Sequence, residues 1–330
     1  MKKIWIYLVF TFGISWTLFI GAGIATEAYA AAWRGIDSFG TSTVLTTCAG
    51  LAMFCPLIGV LLTKLVLRKR EDIQILWQPQ IKGNIRWYLL AWLGTIVLAL
   101  LGTTLFFLLR PGTFDPSMQV YAENMLAKLA AAGAPTEQMQ GLATQLQAQL
   151  TPSMIVATLT LAIFLAPFIN MIPGFGEEIG WRGFLFPALA QQTSPRKAVI
   201  LVGIIWGVWH APMTLVGHNY GVGYWGYPLT GILCMCVACL GLSSILSYLT
   251  FKTSSAWPAA LAHGAINAIA NVGIVFFAGK TLLLGPSPLG LLGCIPLLIV
   301  AVICWIKMPE GLDLALPAQQ PKQKPARGLV

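Results

Sequence analysis

The sequence predicts an all-α protein, a polytopic bundle of about eight membrane-spanning helices. Three observations carry this reading. Of its 330 residues 57% are apolar and 9% charged, with a mean hydropathy of +0.77, whereas soluble domains carry about 25% charged residues. The apolar residues come in continuous runs of about 20, the length of a spanning helix, and not in the alternating pattern of a membrane β-barrel. Twelve Trp, thirty-three Gly and twenty Pro fit spans that tolerate Gly and Pro and anchor at interfaces through Trp. A soluble globular enzyme, a disordered chain and a nucleic-acid binder are excluded.

In chain order the runs lie at about 4–24, 44–67, 87–109, 153–173, 198–217, 228–251, 257–278 and 286–306. The first is preceded by Lys2 and Lys3 and followed by Ala28-Tyr29-Ala30, which resembles a signal peptide with its cleavage site. Its apolar part, about 21 residues, is long for that purpose, so it is read as a retained span. Between the third and fourth runs, Arg110 to Thr151 form a long loop rich in Ala and Gln. Met125 and Leu129, then Leu142, Leu146 and Leu150, recur every fourth residue on either side of Gly133-Ala134-Pro135. That spacing predicts two short amphipathic helices lying on the membrane. From Lys307 onward the chain contains Pro309, Pro317, Pro321 and Pro325 and is expected to be disordered.

With the N-terminus in the cytoplasm, sixteen of the twenty basic residues fall on cytoplasmic segments, and only Arg34, Arg110, Lys128 and Lys280 fall outside. The positive-inside rule therefore places both termini in the cytoplasm. The net charge of +9 is then mainly a topology signal, and absent disulfide or glycosylation patterns suit a bacterial inner membrane. The seven cysteines all lie within apolar runs, including Cys236 and Cys239, and are read as small packing residues.

Ionisable groups at membrane depth cost at least about 2.5–3.5 kcal/mol each on insertion scales, so they mark candidate sites. Nine of the eleven acids lie in loops or tails; the other two, Glu177 and Glu178, adjoin the fourth run. Pro173, Gly174 and Gly176 are expected to interrupt that span there. Where helix resumes, Glu178 and Arg182 are i,i+4 neighbours able to pair, and Glu177 is rotated about 100° away. A carboxylate left unpaired in an apolar pocket suits a general base; an interfacial Glu/Arg cluster capping a helix explains the same residues. His210, in Trp206-Gly207-Val208-Trp209-His210-Ala211-Pro212, sits where Pro212 should kink its helix. A hydrogen-bonded packing role is the plain alternative. His263 and Asn267 share a helix face, continued by Asn271. Together they can donate two hydrogen bonds to one oxygen, as an oxyanion hole requires, or act as polar glue between helices. The depths of these residues along their spans suggest a funnel from the cytoplasm toward mid-membrane.

Glu177-Glu178-x-x-x-Arg182, an aromatic-x-x-x-His from Trp206 to His210, and His263-x-x-x-Asn267, taken together, resemble the CPBP family. This is the CAAX-processing and bacteriocin-processing (Abi) family of intramembrane proteases, which includes the Rce1-like type. The resemblance covers about 160 to 275. One departure is Trp206, where the family often has Phe. No His-Glu-x-x-His is present, so the chain does not resemble site-2-type or zincin proteases. The resemblance implies hydrolysis of a peptide bond in a membrane-associated substrate, prenylated or of leader type. Glu177 would activate water with His210, His263 and Asn267 would hold the oxyanion, and Glu178 and Arg182 would support the site. It divides the chain into N-terminal helices with the outer loop (1–152), a catalytic core (153–278), a last helix (279–306) and a cytoplasmic tail (307–330). No cofactor is favoured. Zinc, on Glu177, His210 and His263, is the alternative, although Asn267 is a poor zinc ligand and a ligating Glu is no longer free as a base. Two other readings use the same residues. One is a non-catalytic binding or bacteriocin-immunity protein; the other is a transporter, disfavoured by the lack of an internal repeat. Membrane lipid and a membrane-associated peptide are the expected partners, with no nucleic acid.

Overall fold

The computed structural model of the chain describes residues 1–39, 41–67, 73, 75–131, 133, 135–149 and 151–311. Arg68, Lys69 and Arg70, Leu150 of the outer loop, and the tail beyond Gly311 lie outside the described residues. Among the described residues there is no sheet, only an isolated bridge between Phe114 and Phe277. The expected all-α class is what the structure shows.

The helices are α1 (Lys2–Ala25), α2 (Ala28–Trp33), α3 (Thr43–Ala52) and α4 (Cys55–Leu67). Next come α5 (Ile85–Leu109), α6 (Gln119–Ala131), α7 (Thr136–Gln149) and α8 (Pro152–Phe164). They are followed by α9 (Ala166–Ala190), α10 (Pro195–Trp209) and the single turn α11 (Ala211–Thr214). The last are α12 (Leu229–Thr253), α13 (Trp257–Val275) and α14 (Ile295–Ile306). Their starts follow local chemistry. Thr151 and Ser194 accept from the backbone N–H groups of Met154 (3.4 Å) and Lys197 (3.3 Å), with Pro152 and Pro195 at the first helical position, where no N–H is needed.

By length and composition α1, α5, α12 and α13 can each cross a membrane, and two bent pairs, α3–α4 and α8–α9, each at 42°, raise the number to six. The expected count of about eight is not reached. The run at 198–217 is helical only to Trp209 before it breaks, and the run at 286–306 yields the twelve-residue α14. At 1.5 Å per residue such helices span about 18–23 Å, short of the ~30 Å hydrocarbon core. The chain is nevertheless an integral membrane protein, with long apolar helices whose outer faces expose Leu, Ile, Val and Trp.

The interruption expected at Pro173 lies elsewhere. α9 runs through Pro173; the break falls before it at Leu165, and a wider π turn follows at Trp181–Leu185. A proline removes only one ladder bond, and tight packing on both sides keeps the helix continuous. Glycines permit that packing. A Cβ on Gly176 would lie 2.8 Å from the Met53 carbonyl oxygen, and one on Gly264 of α13 would lie 2.4 Å from that of Pro167. Small residues let helix backbones approach where lipid supplies no hydrophobic drive. The α9–α13 and α10–α12 pairs form the most extensive contacts, with α1 against α4 beside them.

α6 and α7 confirm helices in the outer loop, and Lys128 of α6 is paired with Asp37 at 2.6 Å. At the other end of the bundle a strap at Leu76–Gln78 closes the floor. Leu76 N–H donates to Gly183, Ala256 N–H to Leu76, and the Ser255 hydroxyl to Gln78. The described cysteines are all free thiols.

Candidate active site

Three helices that are far apart in sequence bring the expected residues together. A cavity of about 150 Å³ is lined by Glu177 of α9, Trp206 and His210 at the end of α10, and His263 and Asn267 of α13. Phe19, Met213, Met235, Leu242, Leu246 and Ile266 supply apolar walls. His210 and Asn267 are reached as expected from their spacing: α10 stops at Trp209, so that Pro212 starts a new turn and leaves His210 at the joint, and Asn267 lies one turn beyond His263. Asn267 is exposed, His263 buried. Asn271, the continuation of that face, does not line the cavity.

The two carboxylates differ sharply. Glu178 is fully buried, and its Oε1 accepts from Arg182 Nη1 at 3.0 Å and from His263 Nδ1 at 2.8 Å. The i,i+4 pair therefore forms, and it acquires a third member from α13. Glu177 is 2% exposed and forms no salt bridge among the described residues. Its Oε2 accepts from the indole N–H of Trp206 at 2.8 Å and from that of Trp181 at 3.3 Å. The Arg182 guanidinium lies over the Trp206 ring, 4.3 Å from its centroid, and the His263 ring is 5.4 Å from it. Trp206 thus adjoins Glu177, Arg182 and His263.

The hydrogen bonds fix the imidazoles. His210 Nδ1 lies 2.8 Å from the Trp206 carbonyl oxygen. A carbonyl only accepts, so Nδ1 carries the proton and Nε2 of the neutral ring is left with a lone pair. By the same rule His263 Nδ1–H donates to the Glu178 carboxylate, which sets that ring's orientation.

Sequence reasoning missed several members. Trp181 sits at i+4 from Glu177, and Trp206 at i−4 from His210, spacings that place each on its partner's face. In the sequence Trp206 stands out only as the aromatic of its motif, and Trp181 not at all. His218 and Asn219 also line the cavity, from an irregular segment with no periodic signal. α1 contributes Phe19 to the wall and grips Trp209 from both sides: Trp209 Nε1 donates to Ser15 Oγ at 2.7 Å, and Trp16 Nε1 donates to the Trp209 carbonyl at 3.0 Å. The cavity is also lined by Met213 and Leu289 beside His218 and Asn219.

A zinc ion needs three or four converging donors. Among the described residues no three His, Cys, Asp or Glu side chains gather closely enough to hold a metal ion. His210 and His263 each spend Nδ1 on an oxygen and keep Nε2, and Glu177 keeps Oε1 beside the oxygen held by two indoles.

Comparison with known proteins now adds its weight. Residues 152–269 match the model of the Rce1-like family, the type II CAAX prenyl endopeptidase Rce1-like group. The chain is also 42% identical over 53 residues to CAAX prenyl protease 2 of Methanococcus maripaludis, a stretch covering 16% of this chain and 20% of that relative. The alignment thus spans about a fifth of the curated relative. The matched segment contains all six motif residues, from Glu177 to Asn267, on α9, α10 and α13, and it is this segment that is similar to the Rce1-like family.

Proposed function

We propose that this protein is an intramembrane endopeptidase that hydrolyses a peptide bond in a membrane-associated substrate, using Glu177 to activate water. The observation that carries the reading is the unequal treatment of the two carboxylates. Glu178 is paired with Arg182 and His263, whereas Glu177 accepts only from uncharged indole donors at the cavity wall. A carboxylate locked in an ion pair is a poor proton acceptor; one held only by neutral donors beside a cavity is available.

The chemistry follows from the atoms. Glu177 Oε1, which takes no hydrogen bond from the described residues, accepts a proton from water, and the lone pair of His210 Nε2 orients that water through its other hydrogen. The water oxygen bonds to the scissile carbonyl carbon, and the displaced C=O electron pair becomes an oxyanion. Asn267 Nδ2–H and His263 Nε2–H donate to it. Donation by Nε2 requires the imidazolium form, since Nδ1–H already serves Glu178. In that form Glu177, Glu178, Arg182 and His263 sum to zero charge, the balanced state for a buried cluster. Glu177 then returns its proton to the leaving nitrogen as the C–N bond breaks.

The apolar walls suit a substrate segment that arrives from the bilayer. A cavity of about 150 Å³ is below the ~300–1,000 Å³ usual for ligand sites, so a peptide enters only as the walls part. The curated relative is named for CAAX prenyl proteolysis, and a prenylated C-terminal peptide is the first substrate to try. On the basic-residue distribution both termini face the cytoplasm, and the host membrane is a bacterial inner membrane. The test is to incubate membranes of the host with wild type and with Glu177→Ala and to map new peptide termini. Termini that appear only with wild type support the reading; identical termini from the variant end it.

A further inference from the structure

Position 206 holds a Trp, and the structure gives its ring nitrogen a partner that a Phe could not take. Phe and Trp both fill the buried space and both offer a ring face to Arg182. Only Trp has an N–H, and that N–H donates to Glu177 Oε2 at 2.8 Å. Trp181, four residues after Glu177 on the same helix, donates to the same oxygen at 3.3 Å. Indole is a donor without charge. Two indoles on one oxygen therefore hold the carboxylate anion in place without forming the ion pair that would silence it. Both take Oε2, and among the described residues the second oxygen has no competing partner. The clamp is itself held: Trp181 and Trp206 are at most 2% exposed, Trp181 packs edge-on against Tyr7 and Trp209 at 5.9 and 6.0 Å, and Trp206 lies under the Arg182 guanidinium at 4.3 Å.

We propose that Trp206 is a positioning residue for Glu177: its indole N–H, together with that of Trp181, fixes one carboxylate oxygen and presents the other to the attacking water. The proposal rests on the endopeptidase reading for its kinetic consequence, but the clamp itself does not. Trp206→Phe is the discriminating change, since it keeps the ring over which Arg182 sits and the backbone carbonyl that His210 uses, and removes one N–H.

The experiment has two arms on the full-length protein in detergent micelles. In the first, indole-¹⁵N-labelled tryptophan reports each N–H by its resonance, with the Trp206 and Trp181 signals assigned from Trp206→Phe and Trp181→Phe. Glu177→Ala is expected to shift those two signals upfield and to leave the Trp209 signal, whose N–H donates to Ser15, in place. No movement of the Trp206 signal overturns the proposal. In the second arm a farnesylated peptide ending in a CAAX tetrapeptide is the probe. Hydrogen bonds to charged groups are worth about 1.5–3 kcal/mol, so Trp206→Phe should lose about 10- to 100-fold in kcat, with KM changed by less than about twofold. Trp181→Phe, with the longer bond, should lose less. An unchanged kcat in a folded Trp206→Phe overturns the positioning role even if the resonances move. If wild type leaves the farnesylated peptide intact, the substrate reading fails separately, and the resonances still decide whether the clamp exists. A Trp206→Phe that does not fold leaves the decision to the Glu177→Ala spectrum, where both tryptophans are retained.

Discussion

The two sides of α9 hold neighbouring carboxylates in opposite ways. On one side Glu177 meets two indole N–H groups and a cavity. On the other, about 100° around the helix, Glu178 meets a guanidinium and an imidazole and has no exposed surface. The same residue type, one position apart, is made available in the first setting and locked in the second. The difference teaches that a Glu-Glu pair in a membrane helix is not a redundant pair. The cationic partners of Glu178 tie α9 to α13, and the neutral partners of Glu177 leave its charge unspent for chemistry.

Substitutions that erase this contrast test it, and their effects should grade downward. Glu177→Gln keeps the shape and can still accept an indole N–H, yet cannot take a proton; cleavage should fall by about 10²–10⁴-fold, the range of general-base catalysis, with the melting temperature unmoved. Asn267→Ala should lower kcat by about 10²–10³-fold, the effect of removing one oxyanion donor, with little change in stability because Asn267 is exposed. Arg182→Met should act on the fold, since it leaves Glu178 with one partner; breaking a buried pair costs about 3–5 kcal/mol, read as loss of thermal stability. Lys128→Ala removes an ion pair whose lysine is 41% exposed. Stability should change by less than about 1 kcal/mol and cleavage hardly at all. Exhaustive metal removal by chelation should leave the rate of purified protein unaltered, because among the described residues no three donor side chains gather at one point.

Much of this was legible in the sequence, and the limits have physical causes. The fold class followed from apolar runs. Glu178–Arg182 followed from i,i+4 geometry, which any helix imposes locally. The outer helices α6 and α7 showed their four-residue spacing. Span lengths were not legible, because an apolar run does not reveal where a helix breaks. The run at 198–217 ends at Trp209, and Pro173, which looked like a break, is carried inside α9 by the packing of Gly176 and Gly264. The second partner of Glu178, His263, and the Trp206 indole on Glu177 come from contacts across 85 and 29 residues, respectively. His218 and Asn219 reach the cavity through an irregular segment that includes Gly217 at φ +100°, which leaves no periodic trace.

The division of labour between the carboxylates is tested most directly by one paired measurement: cleavage rate per folded molecule for Glu177→Gln and Glu178→Gln, with the folded fraction determined in the same samples. Glu177→Gln should be folded and inactive, while Glu178→Gln should be scarce or unstable but retain most of its activity in the fraction that folds. A Glu177→Gln protein that cleaves at the wild-type rate would contradict the account.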